Sequence, residues 1–201
     1  MSDNGATHRI KDGRQIVIRE PRLDKDLDRL VAFLCGLPDD IRNYMRYDVH
    51  DRGICAERLK QLDGKNHWRL IAELEGKIVA DGTLDREPFG WTRHVADLRA
   101  IVDPDHYHMG ISTILCRALI ALGSQAGVEK LYTEVVAEQA DIIKVVKRVG
   151  FVHEVTRKQY AKGQDGRLHD LLIFSNDLDA VWRKLEDQLN ELDVPPYYSG
   201  G

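Results

Sequence analysis

Apolar and polar residues along this chain recur with two periods, and the changes between them mark out its elements. Gln15-Ile-Val-Ile-Arg19 alternates as a short strand that Glu20-Pro21 ends. From Asp24, a candidate N-cap, Leu27, Leu30, Val31 and Leu34 recur at spacings of three and four, which predicts an amphipathic helix stopped by Gly36 and Pro38. Residues 38–47 and 54–62 predict two more short helices, broken by Gly53 and by Asp63-Gly64. Residues 68–74, the turn Glu75-Gly76 and residues 77–84 read as strand, turn and strand, and residues 93–102 add a third strand to a meander.

Past the turn at Asp103-Pro104 the period becomes helical. Ile111, Ile114, Leu115, Ala118, Leu119 and Leu122 make one face apolar over three turns, and Gly127 closes that helix. Residues 130–136 predict a strand, 141–149 a helix ending at Gly150, and 152–160 a further strand. The turn Gly163-Gln-Asp-Gly166 leads into a last strand over 168–174. This order implies one α/β (α+β) domain over residues 14–177, a sheet with helices on its faces. Residues 1–13 are polar without periodicity and read as a frayed tail. Leu178, Val181, Trp182, Leu185, Leu189 and Leu192 form a stripe before Pro195-Pro196, so residues 178–201 are expected to be a C-terminal amphipathic helix and tail. That helix packs on its own domain or makes a dimer contact, leaving monomer and homodimer both open.

The 201 residues are 43% hydrophobic and 31% charged, a balance that fits neither a disordered nor a membrane-embedded chain. The net charge of −4 provides no electrostatic footprint for nucleic acid. No run approaches the roughly 18 apolar residues of a membrane span, and Met1-Ser-Asp-Asn-Gly-Ala-Thr-His8 lacks a signal-peptide pattern, so a cytoplasmic location is expected. Cys35, Cys55 and Cys116 contain no C-x-x-C pair, and His106 and His108 have no third ligand at a recognisable spacing. No metal site is therefore expected.

Candidate chemistry concentrates in Ala96-Asp-Leu-Arg-Ala-Ile-Val-Asp-Pro-Asp-His-Tyr-His-Met-Gly-Ile-Ser112, a strand, a proline turn and a one-glycine loop opening onto a helix N-terminus. Such a terminus binds anions, a pyrophosphate among them. Downstream, Val135-Val-Ala-Glu-Gln139 leads to Val149-Gly150-Phe151. With these motifs at these spacings the chain resembles the GCN5-related N-acetyltransferases over about residues 14–177, and within them looks closest to the bacterial protein-lysine acetyltransferase branch. The resemblance implies a mixed, mostly antiparallel sheet of about six to seven strands with helices on both faces, and acetyl-coenzyme A as co-substrate. It equates Tyr107-His-Met-Gly110-Ile-Ser112 with the family's Arg/Gln-x-x-Gly-x-Gly/Ala pyrophosphate loop. Only the glycine is kept, Tyr107 replacing the Arg or Gln and Met109 standing where many relatives have a basic residue.

The implied cofactor-binding residues are Ile101 and Val102, whose backbone would hold the pantetheine arm, then Tyr107, His108, Met109, Gly110, Ile111, Ser112 and Thr113 around the pyrophosphate. Gln139 takes the position of a family asparagine. The family's helix tyrosine, a general acid for the departing thiolate, falls at Val146. Asp97, thirteen residues before Gly110, takes the place of that branch's catalytic glutamate and is the candidate base. Strand alternation puts Arg99 on its face, where an ion pair would hold the carboxylate ionised and make it a weaker base. Acetylation of a primary amine, on a protein lysine or a small molecule, is the implied activity. A weakly active or inactive domain that binds coenzyme A thioesters as a sensor or interaction module is the alternative.

Overall fold

The computed structural model describes residues 5–45, 47–163 and 166–178. Its strands are β1 (Ala6–Arg9), β2 (Gln15–Arg19), β3 (His67–Leu74), β4 (Lys77–Arg86), β5 (Val95–Val102), β6 (Lys130–Val136), β7 (Val152–Lys162) and β8 (Leu168–Asp177). Its helices are α1 (Leu23–Gly36), α2 (Asp39–Arg42), α3 (Arg52–Leu59), α4 (Ile111–Gln125) and α5 (Ala140–Arg148). The strands form one sheet in the order β1-β2-β3-β4-β5-β6-β8-β7, antiparallel everywhere except between β5 and β6. The expected meander is β3-β4-β5, and the expected mixed sheet is present.

Two expectations are corrected. Residues 6–9, assigned to a frayed tail, form the edge strand β1, paired with β2 from Ala6↔Ile18 to Arg9↔Gln15, so the sheet has eight strands instead of six or seven. The tail's polar composition hid it because an edge strand needs no apolar face of its own once backbone pairing is available. Asp24 does not cap α1 either. The cap position is Arg22, and the carboxylate that receives its N–H, at 2.8 Å, is Asp26. The helix expected beyond Leu178 lies outside the described residues.

Each face of the sheet is covered by helices. α4 lies against the backbone of β4: a Cβ on Gly82 would stand 2.7 Å from Leu119 and 3.2 Å from Leu115, so the missing side chain sets that close approach. Around it Leu84, Leu98, Leu115, Leu119, Leu131 and Phe174 form the main core. On the opposite face Leu30, Val31, Leu34, Cys55 and Leu59 from α1 and α3 cover Ile71 and Ile78.

An ion-pair network ties α1 to the sheet. Asp26, almost wholly buried, accepts from Arg19 at 2.6 and 3.0 Å and from Arg29 at 2.6 Å, and both arginines also reach Glu73. Arg19 leads the causes that hold the Asp26 carboxyl down to about 2. A carboxyl depressed by folding stabilises the fold above its unfolded value, and that stability is lost as pH falls through the folded one. Asp26→Asn is therefore expected to cost about 2 kcal/mol at pH 7. In urea unfolding the gap from wild type should close between about pH 4 and pH 2. A gap that does not change with pH would mean the network is held by shape and not by charge.

Candidate active site

Among the described residues, the only parallel contact in the sheet is also its shortest in register. β5 and β6 pair at Val95↔Lys130, Ala96↔Leu131 and Asp97↔Tyr132, although the strands run on to Val102 and Val136. Beyond Asp97 they separate. β5 stays bonded to β4 as far as Ala80↔Val102, and β6 to β8 as far as Val136↔Leu171, so the two strands diverge into a cleft open at their C-terminal ends. Inside it, the β5 edge past Asp97 and the β6 edge past Tyr132 are without a neighbouring strand. Backbone edges of this kind bond readily to an extended ligand that carries its own amides. Ile101 and Val102 lie on the β5 edge at the mouth.

The loop after β5 builds the mouth. Asp103 donates its N–H to the Val79 carbonyl at 2.9 Å and caps a 3-10 turn, Pro104–His106, by accepting from the Asp105 N–H at 3.1 Å. His108 and Gly110 both take left-handed backbone, with φ of 63° and 89°. Gly110 is the cap residue of α4, and no side chain caps that helix. The first-turn amides of Ile111, Ser112 and Thr113 thus have no intrahelical acceptor, and the helix dipole adds to their pull on an anion. Ser112 contributes its amide here without a side-chain cap bond. Around a Cβ placed on Gly110, the Lys11 side chain alone among the described residues, chain neighbours aside, comes within 4 Å.

Tyr107 is about half exposed, and burial first, then Asp40 and Asp103, pushes its hydroxyl above the ordinary value. Its ring meets His108 edge-on at 6.4 Å. Met109 turns inward against the core, with the Arg14 guanidinium on its sulfur at 3.5 Å. Across the mouth, Gln139 stands at the start of α5 and accepts the Val136 N–H on Oε1 at 3.2 Å, while its own N–H reaches the Val136 carbonyl at 2.9 Å. It pins the end of β6 to α5, the bridging that an amide side chain permits. Val146 is buried in the core, and Phe151 packs in the same cluster.

Asp97 occupies the last paired position, at the apex of the cleft, and is 3% exposed. Its Oδ2 accepts from Arg99 Nε at 3.1 Å and pairs with Nη2 of the same guanidinium, so the pair foreseen from strand alternation is formed. Asp85 lies opposite Asp97 in register and meets His67 Nδ1 at 2.9 Å. Further along the same two strands, Arg69 of β3 and Asp81 of β4, diagonal to each other in register, form a buried pair at 2.7 Å. Burial pushes the Asp81 carboxyl up against the opposing pull of Arg69. The sequence reading missed this pair, because β3 also carries Glu73 and β4 also carries Lys77 and Asp85, and nothing in the spacing says which of these charges are buried together.

The protein-family model of the acetyltransferase (GNAT) family matches residues 39–151, more than half of the chain. This chain belongs to the GNAT acetyltransferase family. A relative in Escherichia coli K12, L-amino acid N-acetyltransferase AaaT, is 32% identical over 94 residues, 46% of this GNAT chain. The match spans 58% of that relative's own length. A GNAT acetyltransferase structure from Streptococcus pneumoniae has a TM-score of 0.71 at 23% identity, covering 81% of this chain and 99% of that one. The structure of yncA from Salmonella typhimurium, solved with its cofactor acetyl-CoA, has a TM-score of 0.65 at 20% identity, covering 82% and 94%. These two share the GNAT fold with this chain.

GNAT enzymes use acetyl-coenzyme A as co-substrate. The residues present here fit that molecule: the β5 edge past Asp97, which has no neighbouring strand, suits its amide-bearing arm, and a helix terminus without a side-chain cap beside an open glycine suits its pyrophosphate. Among the described residues, no group of three or more His, Cys, Asp and Glu is arranged to hold a metal, and no helix is long and apolar enough to cross a membrane.

Proposed function

We propose that this GNAT chain transfers an acetyl group from acetyl-coenzyme A to a primary amine. The observation that carries the reading is the β5–β6 cleft, whose β5 edge, without a neighbouring strand past Asp97, leads through the loop to the N-terminus of α4. In this reading the backbone of Ile101 and Val102 holds the arm, and an amide of that edge polarises the thioester carbonyl. The amides from His108, Met109 and Gly110 to Ile111, Ser112 and Thr113 surround the pyrophosphate, Tyr107, whose own N–H is held by the Pro104 carbonyl at 3.0 Å, borders it with its side chain, and Gln139 keeps the far lip in place. The amine nitrogen bonds to the acetyl carbon as the carbon–sulfur bond breaks. Asp97 takes the amine's proton, and the thiolate departs with the electron pair. Val146 has no proton to give it. A thiol with a pKa of about 8.5 tolerates leaving without an acid.

The E. coli relative, an L-amino acid N-acetyltransferase, supports a free amino acid as acceptor beside the protein lysine implied by the sequence resemblance. The second reading, a domain that binds coenzyme A thioesters without turnover, is favoured by the Arg99 grip on Asp97 and by Val146. Thermal melting with acetyl-coenzyme A, followed by thiol release with a panel of amino acids and lysine peptides, separates the two. A rise of several degrees at saturating co-substrate and release with at least one acceptor are expected. A rise without release on any acceptor would select the second reading, and no rise at millimolar concentration would overturn both.

A further inference from the structure

Resting on that reading of the cleft, we infer that Lys11 binds the coenzyme's pyrophosphate at the α4 terminus, supplying a positive charge that the loop itself lacks. The residues ahead of Gly110 are Tyr107, His108 and Met109, so no lysine or arginine of the loop faces the first-turn amides. The β1–β2 turn brings one from elsewhere in the chain. The Lys11 side chain crosses the open side of Gly110, with Cγ and Cε 3.9 and 4.0 Å from where a Cβ would stand, and its ammonium lies one bond further on.

The turn that carries Lys11 is fixed to the loop. The Lys11 N–H donates to the Met109 carbonyl at 3.1 Å, and Ile10 N–H to the Arg14 carbonyl at 2.9 Å. Ile10 is buried in the main core, and Gly13 closes the turn at φ 91°. The other cation of the turn is committed: Arg14 holds Asp12 through Nε at 2.8 Å and lies on the Met109 sulfur. Lys11 is exposed and has no ion pair among the described residues. An exposed ammonium with three donors loses little hydration in reaching a phosphate oxygen, and its charge adds to the helix dipole. Strand β1, the element hidden from the sequence pattern, thereby acquires a function: it holds the cation over the phosphate loop.

Titration calorimetry of the full chain with coenzyme A and with dephospho-coenzyme A, which lacks only the 3′-phosphate, tests this. Lys11→Met keeps an alkyl chain over Gly110 and removes the charge. It should weaken both ligands by about tenfold, while Lys11→Arg stays within about threefold of wild type. Wild-type affinity in Lys11→Met would overturn the assignment and leave the cleft reading standing. A loss seen with coenzyme A and absent with dephospho-coenzyme A would overturn it in favour of the 3′-phosphate. An equal loss in Lys11→Arg would show packing instead of charge and overturn it too. Failure of the wild type to bind either ligand would overturn the inference together with the proposed function.

Discussion

Asp97→Asn is expected to lower kcat about a hundredfold while the KM for acetyl-coenzyme A changes by less than about threefold. The expected split follows from position. Asp97 stands at the apex of the cleft on the strand face opposite α4, whereas the phosphate loop begins past Val102 at the far end of β5. Because Arg99 holds the carboxylate, loss of activity alone would not distinguish a proton acceptor from an anchor for the guanidinium. Arg99→Gln supplies the comparison. An anchor and the group it anchors fail together, so equal losses in Asp97→Asn, Arg99→Gln and the double variant would reduce Asp97 to a positioning residue. A proton acceptor makes Asp97→Asn the far more damaging change, and that is the result expected.

How much of this site could be read from the chain depends on which interactions are local. The Gly110 loop and α4 were legible because one left-handed glycine followed by an apolar stripe is a signal contained in about fifteen residues. The Asp97–Arg99 pair was legible because strand alternation puts i and i+2 on one face. The β5–β6 cleft was not, since residues 95–102 look like an ordinary strand throughout. Pairing with β6 stops after Asp97, and no residue of β5 announces it.

The N-terminal half shows the same division. The sequence pointed to Asp24 as the cap, and only the approach of Arg19, Arg29 and Glu73 makes Asp26 the buried acceptor. β1 escaped notice because its four residues are held by register to β2 and have no hydrophobic face to show. Lys11 was unremarkable in a polar tail. Its role over Gly110 depends on a turn that contacts a loop nearly a hundred residues away in the sequence.

The largest loss of stability is expected from Asp81→Ala, about 3–5 kcal/mol in urea unfolding at pH 7. Arg69 and Asp81 are respectively 8% and 4% exposed, on adjacent central strands beneath the helices that cover that face. Removing the carboxylate leaves a guanidinium buried without its counter-ion, and water cannot readily replace it. The pair is not itself a large source of stability. Arg69 Nε and Asp81 Oδ1 have no hydrogen-bond partner among the described residues, so part of the desolvation cost is never recovered. It follows that Arg69→Met with Asp81→Leu, which replaces both charges with apolar volume, should lie within about 1 kcal/mol of wild type or above it. If Asp81→Ala alone loses less than about 1 kcal/mol, the pair is hydrated in solution and the burial argument fails. If the double variant loses as much as the single one, the two residues hold the sheet by shape, and their charges are incidental to the fold.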